Sequence, residues 1–286
     1  MAVEGLSPKF AGRAVSPLEI ILPVRNPPAA FRQSVESLAA QTDRNFSVLI
    51  SDNGSGSGQE LMREALQSLQ GAGIPARKVS PPIDLGRVEH WNWAMRESEA
   101  VWLKPLFAGD WLEPAYVATL RRAMTANPSC RYIFCNYLLH PGSNEPRLVK
   151  SPWAGRYRSA AQMQRLVLSY GMQFGPPSAA AYEREAFLSI GGYATTLPIC
   201  ADSLTFCTMA ARFGCLGLAD PLCHFNIHDA RFSTSLPGRR KDNLREALIY
   251  FAMLGYAAWS GRIPVPKTAF ALMFARQLRA YFAQPA

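Results

Sequence analysis

Apolar and amphipathic segments alternate along the first part of the chain. The run LEIILPV at Leu18–Val24 is apolar apart from Glu19 and ends at a turn rich in proline. Residues 31–41 then carry apolar side chains at helical spacing, and 46–50 is a second apolar run closed by the polar sequence SDNGSG. This pattern predicts a strand, a helix and a second strand, with a polar loop after each strand.

The same alternation continues to about residue 140. It predicts helices at 60–70, 86–98 and Tyr116–Ala126, and strands at Ala76–Val79, 100–107 and 132–139. Strands that alternate with helices form mostly parallel sheets covered on both faces, and ligands bind beyond the carboxyl ends of the strands. Asn26, Asp52 and Asp110 follow predicted strand ends, so they are the first candidates for a binding site.

The composition changes after residue 140. A polar stretch rich in proline and glycine at 141–156 precedes a predicted helix at 159–170, a strand near 178–182 and a helix at Ala201–Phe213. The tail at 243–284 predicts two amphipathic helices with aromatic and scattered basic residues. We therefore divide the chain into an N-terminal extension, an α/β domain with two halves, and a C-terminal helical appendage. Their bounds are 1–17, 18–240 (halves 18–140 and 141–240) and 241–286.

Composition narrows the class of protein. The chain has 286 residues, of which 49% are hydrophobic, which is enough for a sizeable core. Residues 1–17 lack the apolar run of a signal peptide and 247–259 is too short to span a bilayer, so we expect a cytoplasmic protein with reduced cysteines. A net charge of +9 favours anionic partners such as nucleotides, acidic lipid surfaces or nucleic acid.

Several familiar motifs are missing from the sequence. It has no Gly-x-Gly-x-x-Gly after a strand, no P-loop and no Gly-x-Ser-x-Gly elbow, which argues against dehydrogenases, P-loop NTPases and serine hydrolases. Cys215, Cys223, His224 and His228 do not follow a familiar zinc spacing.

Three blocks of sequence resemble the inverting family 2 glycosyltransferases. IILPVRNPPAAFRQSVESLAAQTDRNFSVLISDNGS at 20–55 is similar to that family's opening strand, its helix with Ser-Val and Gln-Thr, and its Asp-Asn-Gly-Ser turn. LGRVEHWNWAMRESEAVWLKPLFAGDWLEP at 85–114 resembles the segment that leads into an acidic metal motif. GGYATTLPICADSLTFCTMAARFG at 191–214 resembles the acceptor-side segment, in which an acidic residue opens a helix.

The resemblance implies a GT-A fold, a Rossmann-like, mostly parallel sheet flanked by helices. It also implies transfer of a sugar from a nucleotide diphosphate sugar, by family preference a UDP-sugar, to a hydroxyl of a glycan or lipid-linked glycan in surface polysaccharide synthesis. In such an enzyme Asp202 would be the general base, and Asp110 with His228 would hold Mn²⁺ or Mg²⁺. The family usually has further acidic residues where this chain has Gly109 and Ala201.

The same resemblance and the strand-end positions nominate the other site residues. The residues expected to bind the nucleotide-sugar are Pro23, Arg25, Asn26, Asp52, Asn53, Arg87, Asn92 and Asp110. Trp111 and Arg231 are further candidates for contacts with the acceptor or the phosphates.

Two other classes of function stay open on the sequence alone. The missing acidic neighbours fit a sugar-nucleotide-binding protein that has lost transfer activity. The charge and the basic, aromatic tail fit a module that binds membrane surfaces or nucleic acid, although the scattered basic residues argue against nucleic acid. For the tail itself we weigh peripheral contact with the inner face of the membrane against formation of a homodimer.

Overall fold

The computed structural model describes residues 17–227, apart from 143, 171 and 198–199, together with the single positions 248, 252 and 275. The strands in the described part are β1 (Leu18–Val24), β2 (Ser47–Asp52), β3 (Ala76–Val79), β4 (Trp102–Pro105), β5 (Trp111–Leu112), β6 (Tyr132–Pro141), β7 (Arg147–Val149), β8 (Tyr157–Arg158), β9 (Ala180–Glu183) and β10 (Cys215–Ile227). The helices there are α1 (Phe31–Ala39), α2 (Gln59–Gly71), α3 (Arg87–Arg96), α4 (Tyr116–Ala126), α5 (Ala160–Tyr170), α6 (Arg184–Ser189) and α7 (Ala201–Phe213).

All of these strands belong to one sheet. Its order is β3-β2-β1-β4-β9-β6-β10-β5, with β7 paired to β6 and β8 to β10. The pairings of β1 with β2 and β4, of β2 with β3, and of β6 with β10 are parallel. The shorter pairings, which include both sides of β9, are antiparallel. The expected α/β architecture, a mostly parallel sheet flanked by helices, is confirmed.

Apolar layers cover both faces of the sheet. All seven residues of β1 are buried, as in a strand covered on both sides. Successive side chains of a strand point to opposite faces, so Ile21 packs in one apolar cluster, while Ile20 and Leu22 pack in the other. Helix α1 adds its apolar stripe, including Phe31 and Leu38, to the second cluster.

Four elements have the predicted bounds, whereas the bounds of β10 and several short elements were not predicted from the sequence. The predicted bounds of β1, β3, α4 and α7 match those observed. The two- and three-residue strands β5, β7 and β8 and the six-residue helix α6 were not predicted. Such short segments span too few residues to show a periodic pattern.

The predicted extension and appendage lie almost entirely outside the described residues. Residues 1–16 are not described, and the tail is represented by three single positions. Within the described part, none of the helices has both the length and the apolar character needed to cross a bilayer.

One glycine in β10 is required by close packing, which gives a test of the fold. A Cβ added to Gly217 would lie 2.5 Å from Ala154 Cα and 2.7 Å from Phe134 Cζ. We expect Gly217→Ala to lower the free energy of unfolding by about 1–3 kcal/mol, because the strand and its neighbours would have to move apart. Urea denaturation measures this change.

Gly71 at the end of α2 is the matched control, since an added Cβ there meets no atom within 4 Å. Gly71→Ala should leave stability unchanged or raise it by up to about 1 kcal/mol. Equal effects of the two substitutions would contradict the packing described for β10.

Candidate active site

A cavity of about 840 Å³ opens beyond the carboxyl ends of β1 and β2. Its size falls in the range of small-molecule sites. Of the residues predicted from the sequence, those that line it are Pro23, Arg25, Asn26, Asn53, Arg87, Asp110 and Asp202. Asp52, Asn92 and Trp111 are not among its lining residues, and His228 and Arg231 lie outside the described part of the chain.

Hydrogen bonds join the loops that follow β1 and β2. Asn26 adopts a left-handed backbone conformation with φ of 48°, which asparagine tolerates better than most residues. Its backbone N–H donates to Ser55 Oγ at 2.8 Å, and its side-chain Oδ1 accepts from Ser57 N at 3.2 Å. Asn26 therefore shapes the edge of the cavity through its backbone as well as its side chain.

Asp52 supports this turn from below. Its Oδ1 accepts from Ser55 N at 3.0 Å, and its Oδ2 accepts from Gln59 Nε2 at 3.0 Å and Lys78 Nζ at 3.2 Å. Burial alone would raise the pKa of Asp52, but these hydrogen bonds outweigh it and hold the pKa below its usual value. The buried carboxylate thus stabilises the loop, and its contact with the nucleotide stays a prediction.

Asn53 and Arg25 attach a second loop, residues 80–86, to the same strand ends. Asn53 Nδ2 donates to Leu85 O at 2.7 Å, and its Oδ1 accepts from Leu85 N at 3.0 Å. Arg25 forms a bidentate ion pair with Asp84 at 2.8 and 2.6 Å. These contacts hold Leu85 in the cavity wall.

Asn92 clamps two distant segments together. Its Nδ2 donates to Tyr193 O at 2.8 Å, and its Oδ1 accepts from Tyr193 N at 2.8 Å. A Cβ on Gly192 would collide with the same amide oxygen. The structure therefore places Asn92 behind the wall, where it fixes α3 against the loop that precedes Asp202.

Asp202 lies in the first turn of α7 and faces the cavity. Its Oδ1 accepts from the backbone N–H of Ser203 at 2.7 Å. Burial raises the pKa of Asp202 to about 6, and the hydrogen bond from Ser203 and the charge of Arg87 offset part of this rise. A carboxylate with this pKa can accept a proton near neutral pH.

Arg87 contributes a cation to the same wall. Its guanidinium carbon lies 4.5 Å from the centroid of the Trp91 ring, a cation–π distance. The Trp91 ring in turn packs edge-on against Phe107 and Tyr193, with centroid distances of 4.6 and 5.6 Å. A cation held in this way suits the recognition of a phosphate group.

Asp110 is almost fully buried, at 1% exposure, at the floor of the cavity. Its Oδ2 accepts from Ser178 Oγ at 2.6 Å, and its Oδ1 accepts from Asn226 N at 3.1 Å. The preceding Gly109 has φ of 95°, a conformation that L side chains rarely adopt, and its N–H donates to Ser34 Oγ at 3.0 Å. An acidic residue at 109 would therefore be strained in this backbone.

The carboxylate of Asp110 has the chemistry of a ligand for a divalent cation. In the described part of the chain, no group of three or more His, Cys, Asp or Glu side chains is arranged to hold a metal ion. Mg²⁺ sites that include substrate phosphates need only one or two protein carboxylates, and carboxylate oxygen suits Mn²⁺ as well. Asp110 can thus serve such an ion when phosphates complete the coordination, but the described residues do not form a closed protein site.

Trp111, a candidate from the sequence for contact with the acceptor or the phosphates, lies in an aromatic cluster. The His224 ring stacks on it at 4.7 Å and 12°, and the His140 ring lies 4.5 Å away. His224 Nε2 is 2.6 Å from Glu113 Oε1, and its Nδ1 is 2.9 Å from His140 Nε2. Because His224 covers one face of the indole, this geometry favours a structural role for Trp111.

Other residues of the cavity wall were not predicted from the sequence. His90 Nε2 lies 2.8 Å from Ser51 Oγ, and burial lowers the pKa of His90 to about 4, so the ring is neutral at physiological pH. Next to His90, Trp91 and Trp93 lie on a predicted helix and indicate only packing against the core, so the sequence did not mark His90 as a site residue. The cavity is also lined by Tyr137, Val149, Lys150, Met172, Phe174 and Phe225.

Comparisons with known proteins agree with this geometry. Residues 19–191 match the family described as Glycosyl transferase family 2. An uncharacterized glycosyltransferase of Haemophilus influenzae is 25% identical over 220 residues, which cover 76% of this chain and 71% of the relative.

Solved structures extend the likeness to the fold. S. aureus TarS 1-349 in complex with UDP-GlcNAc superposes with a TM-score of 0.69 at 10% identity, over 93% of this chain and 72% of that one. The mannosyltransferase PcManGT from Pyrobaculum calidifontis, in complex with GDP-Man and Mn²⁺, gives a TM-score of 0.60 at 15% identity, over 96% and 77% of the two chains.

The raised pKa of Asp202 predicts how stability depends on pH. The folded pKa of about 6 exceeds the ordinary value of 3.8, so between these pH values the folded state binds more protons than the unfolded state and loses stability as pH rises. We expect Asp202→Asn to be more stable than the wild type by a few degrees in melting temperature at pH 7.5, and by less at pH 4.5. Scanning fluorimetry at both pH values measures the difference.

Asp220→Asn, at an exposed position of β10, is the control and should not change the melting temperature. A constant difference between Asp202→Asn and the wild type at both pH values would contradict the raised pKa.

Proposed function

This chain belongs to glycosyl transferase family 2 and is a glycosyltransferase, and we propose that its donor is a nucleotide diphosphate sugar, by family preference a UDP-sugar. In this proposal the sugar passes to a hydroxyl group of a glycan or lipid-linked glycan, with inversion, in surface polysaccharide synthesis. The observation that carries the proposal is that Asp202, Arg87 and Asp110 line a single cavity at the strand ends.

The acceptor step uses Asp202. Its carboxylate removes the proton from the acceptor hydroxyl as the acceptor oxygen forms a bond to the anomeric carbon. The bond from that carbon to the donor diphosphate breaks in the same step, and attack from the face opposite the leaving group inverts the configuration. The pKa of about 6 leaves Asp202 ionised at neutral pH while keeping it basic enough for this transfer.

The leaving diphosphate requires positive charge. A bound Mn²⁺ or Mg²⁺ would supply Lewis-acid stabilisation of that diphosphate. Asp110 would hold the ion, with His228 as a second ligand, while Arg87 adds a fixed charge and Arg231 a further phosphate contact. The PcManGT structure, which contains GDP-Man and Mn²⁺, supports the use of a divalent ion in this proposal.

We assign the nucleoside end of the donor to the loops after β1 and β2. Pro23, Arg25, Asn26 and Asn53 line that end of the cavity, and Asp52 supports the turn beneath it. The UDP-GlcNAc bound in the TarS structure supports a pyrimidine nucleotide here. Asn92 is then a residue that positions the loop before Asp202 rather than a direct ligand.

A sugar-nucleotide-binding protein without turnover is the second candidate. It is favoured by Gly109 and Ala201, which stand where the family usually has acidic residues. Such a protein would bind the donor and release no nucleotide from it.

We retain the domain division at 18–240 and 241–286 as part of the proposal. The basic, aromatic appendage would contact the inner face of the cytoplasmic membrane, where a lipid-linked acceptor lies, or a second copy of the chain. Vesicle sedimentation at low salt, compared with the chain truncated after residue 240, separates these two roles.

Donor binding is the first test. We expect calorimetry to show that UDP binds at least tenfold more tightly with Mn²⁺ than without it, because Asp110 would hold an ion whose charge offsets that of the phosphates. Asp110→Asn should remove this enhancement.

Glu113→Gln is the control for that test, since it removes a carboxylate three residues away that does not line the cavity. It should bind UDP like the wild type. Loss of the enhancement in both variants, or in neither, would place the cation elsewhere.

The catalytic role of Asp202 has a separate test. We expect Asp202→Asn to slow UDP release from a UDP-sugar by about 10²–10⁴-fold while UDP affinity stays the same. The ionised base is the active form, so wild-type kcat/KM should fall tenfold per pH unit below about 6 and level off above it. Release of UDP at the wild-type rate by Asp202→Asn would exclude this base.

A further inference from the structure

A lysine lies fully buried in the sheet behind the cavity. Lys104, on β4, has 0% exposure. Its Nζ donates to the backbone oxygen of Pro105 at 2.7 Å and to that of Ser178, and it lies 5.1 Å from the centroid of the Tyr116 ring. Burial of an ammonium group is costly unless it is hydrogen-bonded, and the two carbonyl groups accept hydrogen bonds from Lys104. Lys104 in turn holds these two carbonyl groups in place.

Ser178 connects this lysine to the cavity. The residue has 0% exposure, its carbonyl accepts from Lys104 Nζ, and its Oγ accepts from Phe107 N at 3.1 Å. The same Oγ donates to Asp110 Oδ2 at 2.6 Å. A hydroxyl has one proton, so with Phe107 N–H on its acceptor side, the proton of Ser178 is committed to Asp110.

Charge supports the same connection. Burial lowers the pKa of Lys104 to about 8, while the negative charge of the Asp110 carboxylate favours its charged form. At neutral pH the ammonium therefore remains largely protonated and provides positive charge behind Asp110.

We propose that Lys104 is a positioning residue that fixes the orientation of the Asp110 carboxylate through Ser178. The two oxygens of Asp110 are held from two sides, by Ser178 and by the backbone of Asn226, so loss of one donor would allow the carboxylate to rotate. The inference rests on the proposed role of Asp110 toward a cation shared with the donor phosphates. Substitution of residues that orient a metal ligand in this way commonly lowers metal affinity or activity by about 10–100-fold.

A double-mutant cycle tests the chain of contacts. Lys104→Met removes the ammonium at similar volume, and Ser178→Ala removes the hydroxyl alone. We expect each single variant to weaken Mn²⁺-dependent UDP binding by about tenfold, and the double variant to bind no worse than the weaker single one, because both changes act through one hydrogen bond. Calorimetric titration of the three variants and the wild type with UDP, with and without Mn²⁺, measures these affinities.

Leu120→Ala controls for loss of stability, because Leu120 is fully buried in the same apolar cluster as Tyr116 and does not line the cavity. It should lower the melting temperature and leave UDP affinity within twofold of the wild type. If Lys104→Met does not fold, Lys104→Leu takes its place in the cycle, since it also lacks the ammonium group and is smaller.

The outcomes separate the two levels of the argument. Unchanged affinities in Lys104→Met and Ser178→Ala, or losses that add in the double variant, would overturn the positioning role while leaving the proposed function intact. A wild-type protein whose UDP binding is indifferent to Mn²⁺ would overturn the cation role of Asp110 and this inference with it.

Discussion

The parallel pairing of β1 with its two neighbours determines where the chemistry of this protein can occur. Val24 lies opposite Asp52 in the register of β1 and β2, and Ile21 lies opposite Pro105 in β4. Parallel register brings the carboxyl ends of these strands to one edge, so their loops meet and the backbone of Asn26 can bond to Ser55. The strands can be continuously apolar because both faces of the sheet are covered, which leaves the polar groups to the loops.

The buried carboxylates of this protein have different pKa values, which suit them to different roles. Asp52 and Asp202 are the same residue type, but hydrogen bonds lower the pKa of Asp52, whereas burial raises that of Asp202 to about 6. The first therefore stays ionised as a structural acceptor, and the second is suited to accept a proton. Pairs of carboxyl groups whose environments separate their pKa values in this way commonly have distinct roles. A third carboxylate, Asp110, also has its surroundings set by a buried charge. Lys104 donates to the carbonyl of Ser178, and the hydroxyl of Ser178 donates to Asp110.

The sequence predicted the elements and the cavity edge better than the use of individual side chains. Long apolar runs reveal their own periodicity, which is why β1 and α7 have the predicted bounds. The roles of individual side chains depend on hydrogen bonds between distant parts of the chain. Asn92 bonds to Tyr193, 101 residues away, and Asp110 bonds to Asn226, 116 residues away. Local pattern contains no information about such partners. The same reason explains why the neutral His90 and the histidine that covers Trp111 were not foreseen.

Gly109 stands where the family usually has an acidic residue, and the backbone conformation of the site explains this difference. With φ of 95°, residue 109 occupies a conformation that suits glycine, and its N–H is bonded to Ser34 of α1. The tight turn this permits brings Asp110 between Ser178 and Asn226, which belong to separate segments of the sheet region. A side chain at residue 109 would strain this turn and displace Asp110. A second carboxylate at 109 would therefore weaken the hydrogen bonds that hold the first one. A single, firmly oriented carboxylate is therefore consistent with a cation whose remaining ligands come from the donor phosphates.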